Sequence, residues 1–161
     1  GNQFKKHTKK LSIYAFEPDP GNFQLLRKNV SLNELENVKL FSVALSDKKA
    51  KKHFFYYEPQ KMVVSFPTSK KIVVPTERID KILGGISDIR DTTVFIKIDI
   101  EGHEIAALQG GKKLWAKSRK NILLIEDAIS PYSNKLIRYL QANGSFIEKI
   151  TTYNSFWRLT S

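Results

Sequence analysis

The chain has 161 residues, the length of one domain, with 41% hydrophobic residues, 27% charged residues and a formal net charge of +11. That balance is ordinary for a globular chain, and no apolar run is long enough to span a bilayer. Cysteine is absent, which excludes disulfides, zinc thiolate sites and cysteine nucleophiles. A reducing compartment suits such a chain, and a cytoplasmic location is expected. The amino end, Gly1-Asn-Gln-Phe-Lys-Lys-His7, has no apolar core of a signal peptide. The chain opens on Gly1 and its one methionine is Met62, which reads as a processed chain, a tag remnant or an excised piece. The positive charge makes nucleic acid a partner to weigh. The lysines are spread in short groups, Lys5-Lys6, Lys9-Lys10, Lys48-Lys49, Lys51-Lys52, Lys70-Lys71 and Lys112-Lys113. A solvated lysine-rich surface is the favoured reading, and no nucleic-acid motif with the required spacing is present.

In chain order, Gln3 to Lys10 reads as the end of a helix, and Leu11 to Phe16 as a strand. Pro18 and Pro20 stop that strand and prepare a helix over Gly21 to Leu32, with Phe23, Leu25, Leu26 and Val30 at helical spacing. Val38 to Val43 is a strand, and Ala44-Leu-Ser-Asp47 a turn. His53 to Glu58 and Lys71 to Val74 are aromatic or β-branched and suit an antiparallel hairpin, with Pro59 to Ser69 as the loop between them. Thr76 to Leu83 fits a short helix capped by Thr76 and ended by Gly84-Gly85. Thr93 to Ile98 is a strand, His103 to Gln109 a helix capped by Gly110-Gly111, and Leu114-Trp115 pack after it. Asn121 to Glu126 is a buried strand, and Pro131 to Asn143 a helix with Leu136, Ile137 and Leu140 on one face. Phe146 to Ile150 and Phe156 to Leu159 close the chain as a hairpin about Asn154. Strands alternating with helices, then antiparallel strands, predict an α/β fold with a mostly parallel sheet and an antiparallel C-terminal edge.

Two strands end in acids. Val94 to Ile98 runs into Asp99, Glu101 and Glu104 around Gly102, and Leu11 to Phe16 runs into Glu17-Pro-Asp-Pro20. In open α/β sheets the ligand crevice lies beyond the carboxyl ends of the strands, where an acid commonly accepts bonds from ribose hydroxyls. Acids at such a point are solvated, paired, or facing a ligand.

Taken together, several segments resemble one family. They are Tyr14-Ala-Phe-Glu-Pro-Asp-Pro20, Asn29 and Asn33, Val43-Ala-Leu-Ser-Asp47, Val74-Pro-Thr-Glu-Arg-Ile-Asp80, Ile96-Lys-Ile-Asp-Ile-Glu-Gly-His-Glu104 and Leu108-Gln-Gly-Gly111. In this order and spacing, from Gly1 to about Leu159, they look like the FkbM family of S-adenosylmethionine-dependent methyltransferases. The resemblance implies a Rossmann-like class I methyltransferase fold of seven strands, the last inserted antiparallel, over residues 1–161 as one domain. It implies S-adenosylmethionine as cofactor and O-methylation of a hydroxyl on a sugar or other small metabolite. The family's first strand and its Asp-x-Gly-Ala-Asn-x-Gly loop belong upstream of Leu11. Gly1 and Asn2 fit the last glycine of that loop and its successor, so the chain is expected to be N-terminally truncated and to lack the first strand.

The resemblance also implies residue roles. Glu17 holds the ribose hydroxyls, Ala44 and Leu45 flank the adenine, and Ser46 or Asp47 reaches its amino group. Gly1 and Asn2 line the cofactor loop. Asp99 holds the cofactor's ammonium or orients the acceptor hydroxyl, and Asp99, Glu101 and Glu104 are the candidate catalytic acids. Clustered carboxylates raise one another's pKa, as a base working near neutrality needs. Each has a plainer reading. Glu17 is a solvated strand-end acid, Asp19 a helix cap, Ala44 and Leu45 core. Glu101 and Glu104 bind the start of the next helix, where anions are favoured. His103 is an acid-base partner or an exposed helix residue, the plainer reading being favoured, and Lys97 is placed to pair with a carboxylate. Trp115, Tyr132, Tyr153, Phe156 and Trp157 read as a sugar platform or, more plainly, as core or lid, the plainer reading being favoured. Three scattered histidines make no metal site. A basic nucleic-acid-binding domain and an inactive methyltransferase-like fragment are the competing functions. Carboxylates in the crevice, which would repel phosphates, count against the first.

Overall fold

A computed structural model describes residues 11–57, 69–86, 89–100, 102–125 and 132–143. The expected helix end at Gln3–Lys10, Gly1, Asn2, Glu101, most of the Pro59–Ser69 loop and the C-terminal strands lie outside the described residues. The chain forms two compact units. The first holds residues 1–44 and 49–76, and the second residues 45–48 and 77–161.

In the first unit, β1 (Ile13–Phe16), helix α1 (Pro20–Leu32) and β2 (Val38–Phe41) form a strand-helix-strand unit. The strands are parallel, with Ile13 opposite Val38 and Phe16 opposite Phe41. Parallel neighbours need a long crossover, and α1 supplies it. Aromatic residues on one face hold the pair: Phe16 stacks on Phe41 at 5.0 Å between ring centroids, and Tyr14 lies 6.4 Å from Phe41. Lys39 sets its ammonium 5.6 Å from the centre of the Tyr14 ring. Asp19 begins α1, with Pro20 in the first turn, and Asn33 ends it.

β3 (Ala44–Leu45), β4 (Ala50–Tyr57) and β5 (Ser69–Glu77) form a sheet of order β3-β5-β4. β4 and β5 are the expected antiparallel hairpin, paired from Ala50–Thr76 to Tyr57–Ser69. Two expectations change here. Ala44 and Leu45 form a short strand in place of the expected turn, because nonlocal pairing recruits them. Thr76 is not a helix cap. It stays in β5, is 1% exposed, and donates its hydroxyl to the Ala50 carbonyl at 3.3 Å. The strand ladder outcompetes the local capping signal, and helix α2 starts three residues later, at Ile79–Leu83.

The second unit contains α2, a 3-10 turn at Ile89–Asp91, β6 (Thr93–Ile98), α3 (Glu104–Gly110), α4 (Lys112–Lys117), β7 (Lys120–Ile125) and α5 (Tyr132–Ala142). β6 and β7 are parallel, in register from Thr93–Lys120 to Ile98–Ile125. Helix α4 is an addition to the expected elements, since the sequence pattern there shows only Leu114 and Trp115 as packing residues. Strand alternation puts Ile96, Ile98, Leu123 and Ile125 on one face. That face meets Leu108 of α3 and Leu136, Leu140 and Ile137 of α5 in the core. The Tyr139 ring packs on the same cluster, and its burial pushes the hydroxyl pKa above the usual tyrosine value. The described residues are thus mixed α/β with parallel strand pairs, the fold class expected.

Leu123 is 2% exposed and faces two helices, so Leu123→Ala is expected to lose about 2–5 kcal/mol in urea unfolding. Leu25 is 62% exposed on α1, and Leu25→Ala should stay within about 0.5 kcal/mol of the parent. Equal losses from both would mean that the β6–β7 face is not the centre of the core.

Candidate functional site

In the first unit, the Glu17 amide donates to the Phe41 carbonyl at 3.0 Å, carrying the β1–β2 ladder one residue further. The carboxylate then turns back: Oε1 accepts the Asp19 amide at 2.8 Å. Asp19 in turn accepts the Asn22 amide at 2.8 Å, which is its helix-capping role. Glu17 is half-buried and held at the end of its strand, with one oxygen occupied by the adjoining loop. Asn29 and Asn33 have a local use. The Asn29 carbonyl accepts both the backbone amide and the side-chain amide of Asn33, closing α1.

In the second unit, Asp99 directly follows the last residue of β6 and is exposed. Its carboxylate pairs with Lys97 at 3.3 Å, and both side chains are solvated, so the pair adds little stability. Gly102 has φ +91°, a conformation glycine adopts without steric cost. Glu104, 8% exposed, bends back so that its Oε1 accepts the Gly102 amide at 2.9 Å. Glu104 thus braces the turn that opens α3. His103 occupies the N-cap position of that helix without capping it through its side chain. Its Nε2 lies instead 3.1 Å from the hydroxyl of Ser46.

Ser46 is fully buried. Its amide donates to the Glu77 carbonyl at 3.0 Å, and its hydroxyl to Asp47 at 3.0 Å. Its carbonyl lies so close to Gly110 that a Cβ on that glycine would collide with the oxygen. Arg78 holds the next peptide, donating to the Asp47 carbonyl at 2.7 Å and to the Gln109 carbonyl at 3.4 Å. Asp80 completes the arrangement. It pairs with Arg78 at 3.0 Å and accepts the amides of Lys113 and Leu114 at 3.2 and 2.9 Å. Ala44 is buried and Leu45 half-buried, as residues beside an apolar ligand or a core would be.

The Thr-Glu-Arg-Ile-Asp stretch stands out in the sequence, but neither Arg78 nor Asp80 has a task that its neighbours reveal. A signal was available. Gly111 stands at the start of α4 and has no side chain to cap it, so the first amides of that helix need an acceptor from elsewhere. Trp115 also resolves: its ring covers Gly111, and its Nε1 donates to the Leu108 carbonyl at 2.9 Å. It is packing, as the plainer reading held. Among the described residues no cluster of metal ligands occurs, and no helix is long and apolar enough to cross a membrane.

Residues 2–147 match the methyltransferase FkbM domain. The chain belongs to that family. A solved structure, methyltransferase FkbM from Methylobacillus flagellatus KT, is similar in fold, with a TM-score of 0.54 and 20% identity. The similarity covers 81% of this chain and 30% of that one, so the chain spans under a third of the length of that relative. No curated protein matches the chain significantly.

Gly110→Ala is expected to cost about 1–3 kcal/mol, because its Cβ has to displace the Ser46 backbone. Gly85 has open space around it, and Gly85→Ala serves as the neutral control. The comparison is read by denaturant unfolding. Indistinguishable midpoints for the two variants would rule out the close approach of Gly110 to Ser46.

Proposed function

We propose that the protein transfers a methyl group from S-adenosylmethionine to a hydroxyl of a sugar or other small metabolite. Membership of the FkbM family carries this reading. Acids standing just beyond the carboxyl ends of β1 and β6 support it, since strand ends are where α/β sheets take their ligands. The cofactor residues proposed are Glu17 for the ribose hydroxyls, Ala44 and Leu45 beside the adenine, Gly1 and Asn2 in the glycine-rich loop, and Asp99 at the ammonium. Glu17 suits its role because the bond from the Asp19 amide fixes one carboxylate oxygen and orients the other.

Methyl transfer is an in-line displacement. The methyl group leaves the sulfonium sulfur as the acceptor oxygen attacks, and the acceptor proton passes to a base. The protein's work is therefore to align the two reactants and to accept that proton. Of the three acids proposed, Asp99 is open to solvent, with an exposed lysine against it. Glu101 stands two residues on, before Gly102. Glu104 is the candidate with a prior commitment, since one of its oxygens braces the Gly102 turn. We assign the base to Asp99 or Glu101 first, with Glu104 holding the turn.

Glu17→Ala in the full-length protein should weaken S-adenosylmethionine binding by about tenfold or more in a calorimetric titration, given roughly 1.5–3 kcal/mol for a bond to a charged group. An unchanged affinity would remove Glu17 from the ribose role. Asp99→Asn and Glu101→Gln keep size and remove charge. The variant lacking the true base should lose about 10²–10⁴-fold in turnover on an identified acceptor while melting near the parent temperature. If both keep more than about a third of parental turnover, neither is the base, and Glu104 is tested next.

A further inference from the structure

A cavity of about 280 Å³ opens in the second unit, lined by residues of α2, the Ile89–Asp91 turn and α4. We propose that it binds a small anion with an apolar body of about one ring, at a site separate from the acids after β6. The shape and lining of the cavity carry this independently of the methyltransferase reading.

The walls are apolar. Leu83 at the end of α2, Ile89 in the turn and Leu114 on α4 line the cavity, and all three are buried. Three separate elements therefore border one space that none of their side chains fills. A dry apolar cavity of roughly 150 Å³ accepts a benzene ring, so 280 Å³ has room for one ring and a group attached to it. That volume lies just below the roughly 300–1,000 Å³ of sites for drug-sized ligands, which limits the ligand to a small one.

The charge around those walls is positive. Arg90, Lys113 and Lys117 line the same cavity and are exposed residues. Lys113 and Lys117 stand four residues apart on α4, so they share one face of that helix. The carboxylate among the described lining residues, Asp80, is already committed. It pairs with Arg78 and accepts the amides of Lys113 and Leu114, and its side chain is only 8% exposed. Three cations thus surround the cavity against one carboxylate that its own partners balance, a field that favours an anion. Position separates this site from the acids. Ile89 and Arg90 precede β6 and Asp99 follows it, so the length of a six-residue strand, about 20 Å, lies between the two ends. A ring-sized ligand held here does not reach Asp99.

Phenyl phosphate is the probe, titrated into the full-length protein by ligand-observed NMR, with inorganic phosphate and benzyl alcohol standing for its two halves. It should bind with a Kd of about 1 mM or tighter, and each half about tenfold more weakly or worse. Raising the salt should weaken it, because the cations are exposed. Arg90→Gln combined with Lys117→Gln should lower the affinity by about tenfold while melting within about 2 °C of the parent. Ile86 also lines the cavity, and Ile86→Trp should fill it and abolish binding. Where that variant does not fold, the Arg90 and Lys117 pair decides alone. S-adenosylmethionine should not displace the probe. Equal binding of inorganic phosphate would mean an adventitious ion only, and equal binding of benzyl alcohol would leave the cations without a part. Either result overturns the proposal. So does displacement by S-adenosylmethionine, unchanged affinity in the charge-removed pair, binding retained by a folded Ile86→Trp, or no saturation at about ten times the expected Kd.

Discussion

One carboxylate orders much of the second unit. Asp80 accepts two amides at the start of α4 and pairs with Arg78. Arg78 then spreads its remaining donors over the carbonyls of Asp47 and Gln109. A side chain in the first turn of α2 thus ties together the start of α4, the end of α3 and the segment after β3. The geometry suits the chemistry. A guanidinium offers several donors in one plane, and a carboxylate accepts from several directions. The pair is partly buried, so its value lies less in its own attraction than in the backbone groups that it leaves satisfied.

That arrangement has a functional side. Asp99 follows β6, whose inner face packs in the core through Ile96 and Ile98, while Gly102 and Glu104 shape the turn that opens α3. The segment after β3 has no comparable depth of its own. β3 is two residues long, and the residues after it are placed by contacts from Glu77, Arg78, His103 and Gly110. Placing a loop by many weak bonds from outside, and not by its own secondary structure, is how loops acquire definite geometry on a scaffold.

The strands and helices with strong periodicity were legible. β6, β7 and α5 carry apolar residues at the spacing their faces require, and the structure places them as that spacing predicts. The Asp19 cap and the Pro20 start of α1 were legible for the same reason: the local signal was not opposed. The failures share one cause. Thr76 is a good cap in isolation, but its pairing with Ala50 across β4 holds it in a strand. Ala44 and Leu45 are too short a run to signal a strand at all, and only a partner distant in sequence makes them one. Helix α4 carries no side-chain cap of its own. At the site, the acids and Glu17 stood out by type and position. Arg78, Asp80 and the Ser46–His103 contact did not, because their meaning depends on which segments meet in space.

The two parallel ladders have a kinetic corollary. Ile13 is matched to Val38, and Thr93 to Lys120, each across about 25 residues. Neither pair can form by zipping outward from a tight turn, as adjacent antiparallel strands can. The ends of a long crossover have to meet first, and the entropy of closing that loop is lost before any ladder bond repays it. Chains rich in such distant contacts fold slowly. While the crossovers remain open, the apolar edges of β6 and β7 stand unpaired in a crowded cell, which makes the interval between synthesis and closure the time when the chain is most exposed to aggregation.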